Sequence, residues 1–479
     1  MDRTRGATAQ ALPGAGPPTF LERSFRLREH GTDVRTEALA GLTTFMVMSY
    51  IIAVNPAILS LGGGGLDPRA VATVTCLVAG VMSIAMGLYT NRALAIAPGL
   101  GLNAIVAFTL VGAMGLPFPQ AMGVVVTEGI LITILVLLGV RQYVLDVVPL
   151  ALKKAIAVGI GFFILFIGLR NAGLITFVPG ETGTVDGFLE LSPLNSWPIF
   201  VAVVGLLATV VLIARNVHGA ILWGIIFATL VAFLVPGNVA VFPTDAFAGP
   251  DFHLLGDFSF GYIGELGLLT ALLVVFSLML ADFFDTMGTL VGVGSQAGYL
   301  NERGDLPDAK KPLLIDSLAA VAGGAASASS ATTYIESAAG VSVGGRTGLV
   351  AVVTGALFLL SLPFVGLVTA IPGVATAPAL IVVGFLMVGV LSEGSGARDG
   401  SSARGVNFAD IEEGLPVVLT MLLMPLTFNI TNGIGAGFVS YVVIKLARGK
   451  AADVPAGMYV VAGAFLLYFL RWTLFDATF

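Results

Sequence analysis

Five carboxylic acids fall within long apolar runs of the sequence: Glu128, Asp282, Asp285, Asp316 and Glu336. An ionisable group in hydrocarbon is costly, and it is retained where it binds or carries something. Asp282 and Asp285 stand in Leu280-Ala281-Asp282-Phe283-Phe284-Asp285-Thr286-Met287-Gly288-Thr289. A spacing of three puts both carboxylates on neighbouring faces of one helix. Two acids that close in a low dielectric do not both ionise easily, so one tends to keep a proton at neutral pH. That suits proton-coupled work; the competing reading is a structural pair that caps helices or accepts bonds from Thr and Ser hydroxyls.

Glu336 follows the small, polar run 325–333. A carboxylate at the start of a helix is favoured by the helix dipole and can accept two hydrogen bonds from a planar ligand edge. Alternatively it caps its own helix. Asn103 follows Pro98-Gly99-Leu100-Gly101-Leu102 and offers both a donor and an acceptor. It would either meet a ligand or satisfy broken backbone. Glu128, alone in its run, and Asp316, near the cytoplasmic end of its run, read as packing or interfacial groups. His30, His218 and His253 fall outside the apolar runs or at their ends, so proton coupling falls to the acids. Metal-ligand clusters, phosphate loops and nucleophile motifs are not found, which leaves no cofactor, no metal and no enzyme chemistry to expect. The glycines Gly99, Gly101, Gly340, Gly344 and Gly345 read as close-packing positions in apolar helices.

The elements that must hold these groups are membrane spans. A soluble chain carries roughly a quarter charged residues; here 11% are charged, 57% are hydrophobic, and mean hydropathy is +0.97. Only lipid suits such a surface. Cys76 stands alone, and the net charge of −6 shows no basic patch, which argues against nucleic acid. The N-terminal stretch lacks the apolar core of a cleavable signal peptide. Apolar runs predict spans near 38–60, 69–88, 93–112, 119–140, 153–175, 196–214 and 219–242. A second set is expected near 263–294, 312–328, 330–345, 347–368, 374–391, 412–428 and 430–447. The segment 456–475 is left over, either as an extra span or as an interfacial helix.

Positive charge sets the orientation. Arg23, Arg26, Arg28 and Arg35 precede the first span and place the N-terminus in the cytoplasm. Even-numbered connections hold Arg92, Arg141 with Lys153 and Lys154, Arg215, Arg303 with Lys310 and Lys311, Arg346, and Arg398 with Arg404. Odd-numbered connections mostly lack Lys and Arg, with Arg69 an exception. Seven spans followed by seven means that the second set enters from the opposite side, the mark of an inverted repeat. Weak similarity between Val148-Pro149-Leu150-Ala151 and Ile371-Pro372-Gly373-Val374-Ala375 agrees with this. The third span of each half is irregular: Ala93 to Ala97 stops at Pro98, and 325–333 is small and polar. Non-helical backbone cannot face lipid, so both suit broken helices buried in protein, with their helix starts near the membrane midplane.

Several motifs are familiar. Asp282-Phe283-Phe284-Asp285-Thr286-Met287-Gly288-Thr289-Leu290 resembles the eighth-span motif of the nucleobase:cation symporter-2 superfamily, in its AzgA-like branch of adenine/guanine/hypoxanthine permeases. Thr332-Thr333-Tyr334-Ile335-Glu336-Ser337-Ala338-Ala339-Gly340 resembles the tenth-span motif of that branch. Ala97-Pro98-Gly99-Leu100-Gly101-Leu102-Asn103-Ala104 and Gly41-Leu42-Thr43-Thr44-Phe45 resemble its third-span and first-span motifs.

The resemblance runs from about 27 to 475 and implies an all-α, 14-span, uracil-permease-like fold in two seven-span inverted repeats, with short β-strands in spans 3 and 10. It implies a cytoplasmic tail (1–35), a core domain from 36–140 and 261–368, and a gate domain from 141–260 and 369–479. It further implies a multi-pass protein of the bacterial inner membrane that imports purine nucleobases by proton symport through an elevator-like cycle, and that dimerises as many members of the fold do. Carried over to this sequence, Asn103, Asp282 and Glu336 match substrate-binding positions, and Asp285 matches a position needed for transport. A purine edge presents N–H donors and ring-nitrogen acceptors that a carboxylate and an amide can meet. Phe283, Phe284 or Tyr334 would supply a flat wall. The rival substrates are uracil or xanthine, against which the paired aspartates argue, and an anion of the sulfate-permease type, against which Glu336 argues. An intramembrane aspartyl protease would need its acids on separate helices.

Overall fold

The computed structural model describes residues 20–60, 65–139, 147–177, 189–242, 248–301, 306–389 and 406–475. Arg141, Arg303, Arg398 and Arg404, and the last residues of the expected spans 119–140 and 374–391, lie outside them. The chain is an integral membrane protein built almost wholly of apolar helices. Among the described residues, seven helical segments are long and apolar enough to cross a bilayer, or eight if a bent pair is counted as one span.

Local chemistry sets where the helices begin and break. Helix α1 (Val34–Met48) starts at Asp33, whose carboxylate accepts the Thr36 N–H at 2.9 Å. It continues as α2 (Ile51–Leu59) after a break at Ser49-Tyr50 that leaves Tyr50 fully buried. Helix α3 (Pro68–Thr90) has Asp67 as its cap and Pro68 in the first turn, where a missing N–H costs nothing. Arg69, the charge that departed from the expected alternation, is ion-paired with Asp251 at 3.5 Å. The Asp251 carboxyl is held below its ordinary range, first of all by the backbone N–H of His253.

The third segment is irregular, as its sequence requires. A three-residue strand β1 (Ile96–Pro98) leads into α4 (Leu100–Ala104), which widens into a π-helical stretch, Ile105–Ala113. Helices α5 (Phe118–Leu138), α6 (Leu150–Asn171), α7 (Trp197–Ala214) and α8 (Ala220–Leu234) follow. A short hairpin of β2 (Ile175–Phe177) and β3 (Leu189–Leu191) intervenes. The second set begins with α9 (Leu268–Ala297) and α10 (Lys310–Ala325). Strand β4 (Ala331–Thr333) and α11 (Ser337–Ser342) form the second irregular segment. Helix α12 (Gly348–Leu360) bends by 63° into a 3-10 turn, Leu362–Ala370. The remaining helices are α13 (Gly373–Val388), α14 (Ile411–Leu426), α15 (Ile430–Ala447) and α16 (Ala456–Phe475).

Packing joins elements distant in sequence. Helix α12 lies along α1 and α3, and α10 lies along α5, whereas α6 packs on α13 and α14. The crossing of α3 and α12 is backbone against backbone: a Cβ on Gly348 would sit 1.9 Å from the Gly87 carbonyl oxygen. Outward faces are bare and apolar, as at Leu207, Val210 and Val211 of α7 and Leu230 of α8. Such a surface belongs in lipid. The leftover segment is a helix whose Met458, Ala462, Phe465 and Tyr468 are buried, with Phe465 edge-on to Phe438 of α15. At the opening of α14, the Glu412 carboxylate accepts from Lys445, Arg448 and Lys450, fastening α14 to α15.

Candidate functional site

The two irregular segments meet. Strands β1 and β4 pair antiparallel, with Ile96 opposite Thr333, Ala97 opposite Thr332 and Pro98 opposite Ala331. Backbone freed from helices in hydrocarbon must find partners, since each orphan costs several kcal/mol. It does so both within the first half and across the two halves of the chain. Gly99 N–H donates to the Ser330 carbonyl at 2.9 Å and Tyr334 N–H to the Ala95 carbonyl at 2.9 Å. The Ser83 hydroxyl accepts the Ile96 N–H at 2.8 Å and donates to the Ile96 carbonyl at 3.0 Å. Ala95 N–H donates to the Ser337 hydroxyl at 2.9 Å. The Tyr334 hydroxyl donates to the Pro98 carbonyl, so this aromatic residue clamps the strand pair. Ser327 and Ser329 take left-handed backbone (φ 59° and 73°), turning the chain from α10 back into β4.

Asp316 is the anchor of this ladder. One of its oxygens accepts the Thr333 N–H at 2.7 Å and the Thr333 hydroxyl at 2.6 Å; the other accepts the Thr286 hydroxyl at 2.6 Å. Thr286 also shares a bond of 2.7 Å with Thr332. Read from the sequence as a packing or interfacial group, Asp316 is here a structural anchor. It is 4% exposed and joins α9, α10 and β4. These donors fill the hydrogen-bonding capacity of a carboxyl group that has left water.

Asp282 and Asp285 do share one helix, α9, yet they face different surroundings. Asp282 is 1% exposed, and neither of its oxygens has an amide, amine or alcohol donor among the described residues. Its acidic neighbours from other helices are Glu128 of α5 and Asp316 of α10. Glu128, read from the sequence as a packing or interfacial group, is brought onto the acidic cluster; among the described residues only the Ser330 hydroxyl, at 3.4 Å, donates to it. Asp285 is half-buried and has Glu336 as a neighbour. Glu336 accepts the Tyr50 hydroxyl at 2.6 Å and makes no side-chain cap for α11. Asn103 is fully buried, and among the described residues neither its amide nitrogen nor its oxygen has a partner, so it does not repair the broken backbone.

A narrow cleft lies beside Asp285. Gly101, Leu102, Ala281 and Phe284 line one side, and Ile156, Ala157 and Ile160 of α6 with Met387 of α13 line the other. Of the three expected aromatic walls, Phe284 reaches this cleft; Phe283 packs edge-on against it, centroids 6.0 Å apart. The cleft holds about 10 Å³, room for roughly one water.

Two contributors escaped sequence reasoning. Tyr50 was hidden in an apolar run, where a tyrosine is unremarkable until its hydroxyl finds Glu336. Glu37 stood at the edge of the first span; it accepts the N–H groups of Arg346 and Thr347 and the Thr347 hydroxyl, and so caps the approach to α12. Nothing in the spacing links residues 286 to 310 positions apart.

Similarity to known proteins agrees with the geometry. A family model described as Permease family matches residues 35–405. The adenine permease AdeP of Escherichia coli (strain K12) is 40% identical over 463 residues, 96% of this chain and 97% of its own. The guanine/hypoxanthine permease PbuO of Bacillus subtilis (strain 168) is 38% identical over 459 residues, 93% of this chain and 99% of its own. Among solved structures, the transmembrane domain of the cyanobacterial bicarbonate transporter BicA superposes with a TM-score of 0.60 at 16% identity, covering 84% of this chain and 97% of that one. A structure of SLC26A9 gives 0.58 at 12% identity, covering 93% and 73%. At those identities the likeness is one of fold.

Proposed function

The chain belongs to the nucleobase:cation symporter-2 permease family, and from that premise we propose that it imports purine nucleobases (adenine, guanine or hypoxanthine) by proton symport. The observation that carries the reading is unspent hydrogen-bonding capacity beside the paired breaks. Asn103 and Asp282 are both fully buried; among the described residues neither amide atom of Asn103 has a partner, and Asp282 has no amide, amine or alcohol donor. A buried polar group left unsatisfied costs about 1–3 kcal/mol. Such a cost is explained by a ligand that completes the bonds, and a purine edge carries the matching N–H and ring-nitrogen groups. Asn103, Asp282 and Glu336 are the binding residues in this reading, with Phe284, Phe283 and Tyr334 as apolar surroundings. Asp282, Asp285 and Glu336 are the groups that exchange protons.

Movement follows from size. A small-molecule site needs roughly 300 Å³ or more, and the cleft beside Asp285 holds about 10 Å³. A purine enters only if the group carrying α4 and α9 separates from the group carrying α6 and α13. We read these as core and gate domains that slide past each other, within 14 spans, with the N-terminus cytoplasmic in a bacterial inner membrane. An inorganic anion fits poorly, because it would meet Glu128, Asp282, Asp285, Asp316 and Glu336 together. The test is uptake of radiolabelled adenine, guanine and hypoxanthine into proteoliposomes, with and without an inward proton gradient. Gradient-stimulated uptake is expected; bicarbonate or sulfate uptake in its place would overturn the reading.

A further inference from the structure

Helix α6 meets the opposite wall of the cleft on successive turns, and each turn makes a different contact. Ile156, Ala157 and Ile160 line the cleft itself. The walls are close there: a Cβ on Gly101 would sit 2.7 Å from the Ile160 side chain. One turn earlier, about 5 Å along the axis, the Lys153 side-chain nitrogen lies 5.8 Å from the centre of the Phe284 ring on α9. A cation over an aromatic face at that range is attracted to it. One turn later, Phe163 stands edge-on to Phe108 of the π-helical stretch after α4, centroids 6.0 Å apart, a favoured aromatic geometry. Both contacts join the group carrying α4 and α9 to the group carrying α6 and α13, and together they bracket the cleft. The two brackets differ in depth. Phe163 is backed by Phe428 at 6.2 Å, and Phe428 by Phe166 at 5.3 Å and the Arg170 guanidinium at 5.7 Å. Phe428 itself takes left-handed backbone (φ 49°), rare for a bulky side chain. From Ile160 to the end of α6 at Asn171 is a further eleven residues, about 16 Å. On the other side α6 begins at Leu150, only three residues before Lys153.

We propose that Lys153 over Phe284 is the thin seal between the substrate cleft and the cytoplasm, and that Phe108 against Phe163 is the thicker seal to the outside. The proposal rests on the transport reading above, which gives the cleft its role and puts the Lys153 end of α6 at the cytoplasm. Lys153 acts as a positioning residue: it holds α6 against the Phe284 ring and need not touch a purine. Its flexible stem lets the nitrogen leave the ring for water at the helix end while the stem still covers apolar surface. Parting Phe108 from Phe163, by contrast, requires the two groups of helices to separate. The cleft is closed on both sides and opens first toward the cytoplasm.

Cysteine labelling tests this from each side of the membrane. Ala157→Cys in a Cys76→Ala background places the chain's one thiol in the cleft, a turn from Lys153. The rate of its reaction with a charged, membrane-impermeant thiosulfonate is measured on the full chain in inside-out and right-side-out vesicles, without substrate. Lys153→Met keeps the stem and removes the charge. It should speed labelling from the cytoplasmic face by about ten-fold and leave labelling from the outer face unchanged, while Lys153→Arg should label as the parent does. Phe108→Leu should speed labelling from the outer face alone. Faster labelling of Lys153→Met from both faces, from the outer face alone or from neither would overturn the proposal, as would Phe108→Leu without effect or acting at the cytoplasmic face. Labelling needs no purine, so if the wild type carries none the transport reading fails while the two seals are still decided.

Discussion

Replacing Asp316 by alanine should unfasten the strand pair without altering any residue that lines the cleft. Three short bonds end on this carboxylate: from the Thr333 N–H at 2.7 Å, the Thr333 hydroxyl at 2.6 Å and the Thr286 hydroxyl at 2.6 Å. The Thr333 N–H sits at the end of the β1–β4 ladder and has nowhere else to turn, so orphaning it costs about 1–3 kcal/mol. The hydroxyls can rotate; Thr286 already shares a bond with Thr332. They should each lose a smaller amount, which brings the total to about 3 kcal/mol. For a chain of 479 residues that corresponds to a fall in the unfolding midpoint of about 3 °C. Tryptophan fluorescence of the detergent-solubilised protein during heating measures it, and Thr286→Val, which removes a single donor, should fall by roughly a third as much. A midpoint for Asp316→Ala indistinguishable from wild type would refute the assignment of Asp316 as the ladder's anchor.

Three further outcomes follow from the same geometry. Asn103→Leu should keep or raise the unfolding midpoint, because it removes an unsatisfied buried amide worth about 1–3 kcal/mol, yet it should abolish purine binding measured by calorimetry. Tyr50→Phe removes the 2.6 Å bond to Glu336; losing a bond to a carboxylate of about 1.5–3 kcal/mol should change the apparent purine affinity by ten-fold or more in uptake assays. Gly348→Ala would force a Cβ to 1.9 Å from the Gly87 carbonyl oxygen, and should leave the protein aggregated on size-exclusion chromatography, whereas Gly373→Ala, with open space around it, should run as wild type.

What was legible in the sequence was what one segment can express by itself. Hydropathy marks the spans because lipid demands apolar faces, and Pro98 and the Ser/Ala/Thr run before Tyr334 mark the breaks because neither can continue a helix well. The spacing of Asp282 and Asp285 correctly put both on one helix. It could not show that one turns to Glu128 and the other to the cleft, since that depends on what α5 and α6 bring alongside. Asp316 and Glu128 read only as packing or interfacial groups for the same reason: their partners Thr286, Thr333 and Ser330 come from elsewhere in the chain. Tyr50 and Glu37 carried no local signal at all, because their bonds reach Glu336 and Thr347 across the fold.

The central claim is that this permease holds a purine on carboxylate and amide groups beside the paired breaks. Uptake of radiolabelled hypoxanthine and adenine into proteoliposomes under an inward proton gradient, compared among wild type, Asp282→Asn and Glu336→Gln, tests it most directly. The account predicts gradient-stimulated uptake in the wild type, with both variants folded yet unable to accumulate either purine. Variants that accumulate purine like the wild type would contradict it.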